Sequence, residues 1–129
     1  KMEEPNGKKK DREHVSLILH QKIYDLILDV YPVITKTFPK RQRIMLGGRL
    51  QESLITLLSI ATTINIEKKA TISQFRRMDT EIQKVKMFIR LAKDLKFISF
   101  KKYEYLQKKV IEVGKITGGY RKFYFNEKD

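Results

Sequence analysis

The sequence predicts an all-α fold, an antiparallel up-and-down four-helix bundle. Three observations carry this reading. Apolar residues recur at steps of three and four through four long segments, the links between those segments are short, and no stretch alternates apolar and polar residues with the period of a strand. A chain of 129 residues with 41% apolar side chains is long enough for one domain with its own core. The expected organisation is a disordered charged arm over residues 1–12, the bundle over 13–124 and a short tail over 125–129.

The arm contains the breakers Pro5, Asn6 and Gly7 and the basic cluster Lys8-Lys9-Lys10. A first helix is expected from Glu13 to Tyr31, with Val15, Ile18, Ile23, Leu26, Ile27 and Val30 as its stripe. Pro32 and Pro39 bound the next stretch, PVITKTFP, which reads as a bend carrying one short helical segment.

A second helix runs from near Lys40 to about Ile66, with Gly47, Leu50, Leu54, Leu57, Leu58, Ala61 and Ile64 on one face. Its outward positions after Glu52 are Thr56, Ser59 and Thr63, with no charge before Glu67. An uncharged outer face predicts a subunit contact. The third helix follows a cap at Thr71 or Ser73, and Phe75, Met78, Ile82, Val85, Ile89 and Ala92 form its core face. Met87, Phe88, Leu91 and Leu95 lie well away from that face, and a helix apolar on two sides is usually buried on two sides. Phe88, Leu91 and Leu95 therefore join Thr56 and Thr63 as the expected oligomer interface.

After the break KFIS, Ser99 caps the fourth helix, where Tyr103, Leu106, Val110, Val113, Thr117 and Tyr120 share a face. Opposite stand Lys101, Lys108, Lys115 and Lys122, spaced by seven residues, or about 10 Å at 1.5 Å per residue. The result is a basic ridge.

The chain carries a formal charge of +13, and residues 74–123 supply +9 of it, from fourteen basic and five acidic side chains. Such an excess attracts nucleic acid, anionic lipid or an acidic protein. Lys40, Arg41 and Arg43, with Arg76, Arg77, Lys86 and Arg90, extend the candidate polyanion surface beyond the ridge. The bland alternative is a solvated lysine face, which Glu104 four residues before Lys108 supports. Tyr105 and Tyr124 are the two tyrosines expected outside the core stripes.

Catalytic apparatus is missing from the pattern. His14 and His20 are the only histidines, neither belongs to the paired Glu-x-x-His motifs of a di-iron bundle, and no histidine stands with a nucleophile and an orienting acid. With no cysteine there are no thiolate metal sites, so no metal or cofactor is expected and the chain suits a reducing cytoplasm. No signal peptide is visible, and the longest weakly charged run, 53–66, is too short to span a bilayer. Gly47-Gly48 and Gly118-Gly119 each predict a close helix approach or a bend.

The segments YDLILDVYPVITKTFPK, RLQESLITLL, RLAKDLKFISFKKYEYLQ and VIEVGKITGGYRKF resemble the accessory variability determinant (Avd) proteins of diversity-generating retroelements over residues 15–123. That family is similar to four-helix proteins encoded in intervening sequences of large ribosomal RNA genes. The stretch ESLITLLSIATTINIE in the second helix favours the Avd side. The resemblance implies a prokaryotic or phage-encoded, non-catalytic protein that forms a homopentameric ring and supports mutagenic cDNA synthesis. Its implied partners are the retroelement reverse transcriptase, template RNA and cDNA. The alternative is a structural or protein-interaction bundle with no polymerase partner.

Overall fold

A computed structural model describes residues 6–125 of the chain. Five helices follow one another: α1 Asn6–Thr37, α2 Lys40–Ile44, α3 Leu46–Glu67, α4 Ile72–Asp94 and α5 Phe100–Phe125. The four long ones pack in the cyclic order α1, α3, α4, α5, each against its two neighbours. Both ends of the described chain lie at one end of the bundle, here the proximal end; the turns after α1 and α4 form the distal end.

Two boundaries of α1 differ from expectation. The helix begins at Asn6, so residues 6–12 are helical rather than a disordered arm, while residues 1–5 lie outside the described residues. Lys and Arg are good helix formers, and the Arg12 guanidinium rests 4.3 Å from the centre of the Tyr124 ring, which ties this first part of α1 to α5. The helix also runs through Pro32 to Thr37 instead of bending. Pro32 sits on the exposed face, where the Leu28 carbonyl that loses its donor can be hydrated, while Val33 and Ile34 remain buried in the core. Packing outweighs the lost hydrogen bond. The α1 stripe is also shifted: Ser16, Leu19, Ile23, Leu26 and Val30 are buried, whereas Ile18 is 38% exposed and Val15 and Ile27 flank the core.

The expected second helix is broken at Met45, whose ψ of −87° separates the short α2 from α3. Gly47 explains the sharpness of the turn. A Cβ there would lie 2.7 Å from Ile34 Cγ2 and 3.2 Å from the Gln42 carbonyl oxygen. The span Lys40–Glu67 is long and apolar enough to cross a membrane by composition, but Leu50, Leu54, Leu57, Ile60, Ala61 and Ile64 face the bundle core.

Lys68 ends α3 in the left-handed region (φ 57°), and Thr71 starts α4 with a full capping box: its hydroxyl accepts from Gln74 N–H while the Gln74 side chain accepts from Thr71 N–H. All six predicted core positions of α4 are buried. At its far end Lys96 (φ 66°) takes the left-handed position of a Schellman motif, with Phe97 N–H bonded to Ala92 O at 2.8 Å and Lys96 N–H to Lys93 O at 2.9 Å. Ser99 Oγ then accepts from Lys102 N–H at 3.1 Å, the expected cap of α5. Leu106, Val110, Val113, Thr117 and Tyr120 of α5 are buried, with Tyr103 half-buried.

The expected tail is corrected in part. Tyr124 and Phe125 belong to α5 and pack against the buried Phe75, with ring centres 6.2 and 5.7 Å away, and residues 126–129 lie outside the described residues. Aromatic burial pulls the last turn onto α4.

Replacing Gly47 by Ala forces a methyl group onto Ile34 and the fixed Gln42 carbonyl. The Gly47→Ala variant is expected to lose about 1–3 kcal/mol of stability despite the better helix propensity of alanine, measured by urea unfolding. An unchanged midpoint would refute the close approach of α1 and α3.

Candidate nucleic-acid interface

The lysine ridge forms as the spacing predicts. Lys101, Lys108, Lys115 and Lys122 are all exposed on the outer face of α5, over roughly 32 Å at 1.5 Å per residue. Lys101, Lys108 and Lys115 have no ion-pair partner among the described residues. Glu104 and Glu112 lie one helical turn to either side of Lys108, and Glu112 is 3.4 Å from Lys22 of α1. Gly118 and Gly119 lie between Lys115 and Lys122, and a Cβ on either would meet no described residue within 4 Å. The second glycine pair thus marks bare backbone beside the ridge; the close helix approach belongs to Gly47 alone.

The remaining predicted basic residues do not join one patch. Lys86 and Arg90 lie on the α5 side of α4, where the Lys86 carbonyl accepts from Gln107 Nε2 at 3.0 Å. Arg90 Nε is 3.8 Å from Asp94, which also holds Lys93 at 3.2 Å, so that strip is partly neutralised. Lys40, Arg41 and Arg43 are exposed on α2 at the distal end, and Arg43 Nε donates to Phe38 O at 3.1 Å. Arg76 and Arg77 are exposed near the start of α4, at the proximal end, roughly 27 Å along the helix from its last residue at 1.5 Å per residue. Arg77 further shares a helix face with Leu91, two heptads on, and so belongs with the apolar surface rather than the ridge.

Tyr105 is exposed as expected, with the Lys102 and Lys109 ammonium groups 5.2 and 5.0 Å from its ring centre. A hydrogen bond to Asp29 raises the Lys109 pKa, so this lysine stays charged and locked to α1. Tyr124 departs from expectation: it is half-buried, and its hydroxyl accepts from Ala70 N–H at 3.0 Å.

The two faces expected to contact other subunits meet across the α3–α4 seam. Leu91 (42% exposed) and Leu95 (50%) line an open groove with Ile44, Met45, Gly48, Arg49 and Glu52. Half-buried Phe88 lines the next depression with Arg49, Glu52, Ser53 and Lys84. Thr56 and Thr63 are half-buried on the α4-facing shoulder of α3. Thr63 and Ser59 hydroxyls donate to their own helix, to Ser59 O and Ile55 O, which leaves that face neutral and internally satisfied. Ile44, 82% exposed, and Met45 extend this surface and were not legible in the sequence, because the break at Met45 turns them outward.

Sequence reasoning also missed a polar cluster at the proximal end. Ser16, buried on α1, donates to Asn65 Oδ1 of α3, and one turn further along His20 Nε2 lies 2.9 Å from Thr62 Oγ1. Burial raises the Tyr120 pKa beside Ser16, which keeps the phenol neutral. Among the described residues no group of three His, Asp or Glu side chains is arranged to hold a metal ion.

A family model described as bAvd-like matches residues 17–124. No curated protein and no solved structure matches the chain.

Because no described residue meets a Cβ at positions 118 and 119, the double variant Gly118→Ala/Gly119→Ala should gain about 1 kcal/mol per site from helix propensity. Thermal unfolding checks this. A lowered midpoint would show that the bare backbone serves the fold itself.

Proposed function

The chain belongs to the bAvd-like family, an Avd-type family of non-catalytic accessory proteins, and on that premise we propose that it binds the reverse transcriptase of a diversity-generating retroelement together with template RNA and cDNA. The observation that carries this reading is the α5 ridge, where three exposed lysines stand without a carboxylate partner among the described residues. Each phosphate such a lysine neutralises releases condensed counterions, so attraction is strong, salt-dependent and indifferent to base identity. Lys101, Lys108, Lys115 and Lys122 track the backbone, and Lys86 and Arg90 lie on the neighbouring helix. Lys40, Arg41, Arg43 and Arg76 add basic groups at the two ends of the bundle.

The assembly we propose is a cytoplasmic homopentameric ring that presents one ridge per subunit beside the polymerase. Ring closure with more than two copies needs two different patches per subunit. The α3–α4 groove with Leu91, Leu95, Ile44 and Met45 supplies one of them, in which Arg77 is a rim residue. Catalysis then stays with the polymerase, and this protein contributes position and charge.

Reversing Lys108 and Lys115 to Glu should leave helicity intact while weakening RNA binding more than tenfold at about 0.1 M salt, and should flatten the log–log salt dependence by about 2. Unchanged affinity would remove the ridge from the interface and favour a purely structural bundle. Leu91→Glu places a charge in the groove and is expected to give folded monomers by light scattering. An intact oligomer would move the subunit contact elsewhere.

A further inference from the structure

Where the last turns of α1 run beside the first turns of α5, a depression of about 320 Å³ is lined by Leu28, Pro32, Val33 and Lys36 from α1 and by Lys102 and Tyr105 from α5. That volume is at the lower end of the range for ligand clefts. The depression lies toward the distal end, far from Asn6 and Phe125, where the described chain begins and ends. We propose that it receives one unpaired nucleobase of a single-stranded nucleic acid, which stacks on Tyr105 while the flanking phosphates lie on the ridge lysines. The proposal rests on the ridge reading above and adds to it the class of strand that is bound.

Tyr105 is placed for this by its neighbours along α5. Lys101, Lys102, Lys108 and Lys109 stand three and four residues to either side of it, so ammonium groups precede and follow the ring by one turn. At about 100° per residue, Tyr105 is turned roughly 50° from Lys101 and Lys108, toward α1, where its hydroxyl is 3.5 Å from Asp29 Oδ1. Asp29 also holds the Lys109 ammonium, at 3.1 Å, and so fixes that cation 5.0 Å from the ring centre. Lys102 differs. It is exposed, 5.2 Å from the ring centre, and has no ion-pair partner among the described residues. Its flexible stem lets it yield its place over the ring to a base and turn to a phosphate.

The lining suits a base rather than a phosphate. Leu28, Pro32 and Val33 make an apolar wall, and Asp29 adds a carboxylate that repels a phosphate but accepts from the exocyclic amine of a base. The continuation of α1 through Pro32 brings Lys36 to the same depression, where a bend at the proline would carry it away. A duplex keeps its bases in its own stack and offers none to Tyr105, whereas a single strand presents the π-face of every base. The ridge alone draws either kind of strand; the depression discriminates between them.

Binding of a short unstructured single-stranded RNA, and of the same strand annealed to its complement, would be measured over a range of salt for the wild type, Tyr105→Leu, Tyr105→Phe and Lys108→Glu/Lys115→Glu. Tyr105→Leu should weaken the single strand about tenfold and leave the duplex unchanged, with the same salt slope as the wild type because no phosphate contact is lost. Tyr105→Phe keeps the ring and should bind as the wild type does. The charge reversals should weaken both RNAs. Because the chain has no tryptophan, Tyr105→Trp supplies a single indole whose emission the single strand should quench and the duplex should not. Equal loss of both RNAs in Tyr105→Leu, no loss of either, or an indole blind to the single strand would overturn the base site. The charge reversals report on the ridge independently: if they change neither RNA while Tyr105→Leu still weakens the single strand, the ridge reading falls and the base site stands.

Discussion

Phe75 is the side chain on which the proximal end depends. It is fully buried at the start of α4, with the ring of Tyr120 edge-on at 5.3 Å and those of Phe125 and Tyr124 at 5.7 and 6.2 Å. Such aromatic pairs contribute about 0.5–1.5 kcal/mol each beyond the area they bury. The consequence is positional as much as energetic. By holding the last turns of α5 against α4, the cluster keeps the lysine ridge helical as far as Lys122, brings the Tyr124 hydroxyl to Ala70 and sets its ring beneath Arg12. The reach of the ridge and the tie between α1 and α5 at Arg12 therefore rest on one aromatic cluster.

The distribution of carboxylates decides which of the many cations remain available. Asp29 and Glu112 pair with Lys109 and Lys22 across the α1–α5 seam, Asp79 faces Arg121 between α4 and α5, and Glu81 and Asp94 pair with Lys84, Arg90 and Lys93 along α4. These exposed pairs add little stability individually. Their effect is to neutralise cations at the α1–α5 and α4–α5 seams and along α4, so that the excess of a +13 chain emerges on outer faces such as that of α5. A field built this way attracts a polyanion along a line rather than at a point.

How much could be read in advance depended on how clean each helix is. Over residues 74–86 of α4 the core stripe is separated from its surroundings by Lys, Arg, Gln and Asp, and every predicted core position of the helix is buried. In α1 apolar residues occur on all sides: Leu17, Ile18, Tyr24 and Leu28 are exposed while Leu19, Ile23 and Leu26 are buried. Periodicity alone could not choose between registers there, so Ser16 and Leu19 were missed. Pro32 misled for a related reason, since a proline rule describes the local cost and not the packing of Val33 and Ile34 that outweighs it. The ridge was legible because four lysines on a single helix need only the 3.6-residue period to be aligned. The groove at Ile44 and Met45 and the cavity at Lys9, Arg12 and Lys68 depend on which helix faces which.

Sequence by itself determined the helical class, the heptad ridge, the cap at Ser99 and the large positive charge, all of which follow from residue types at short spacing along one chain direction; between Thr71 and Ser73 as the cap of α4 it left the choice open. Only the tertiary structure decided that α1 continues through Pro32, that Gly47 lies against Ile34, that Tyr124 turns inward and that residues 9, 12, 65 and 68 share a cavity wall. The physical reason is that these outcomes are set by contacts between residues far apart in the chain. Burial and close packing there outweigh local preferences that, read alone, point the other way.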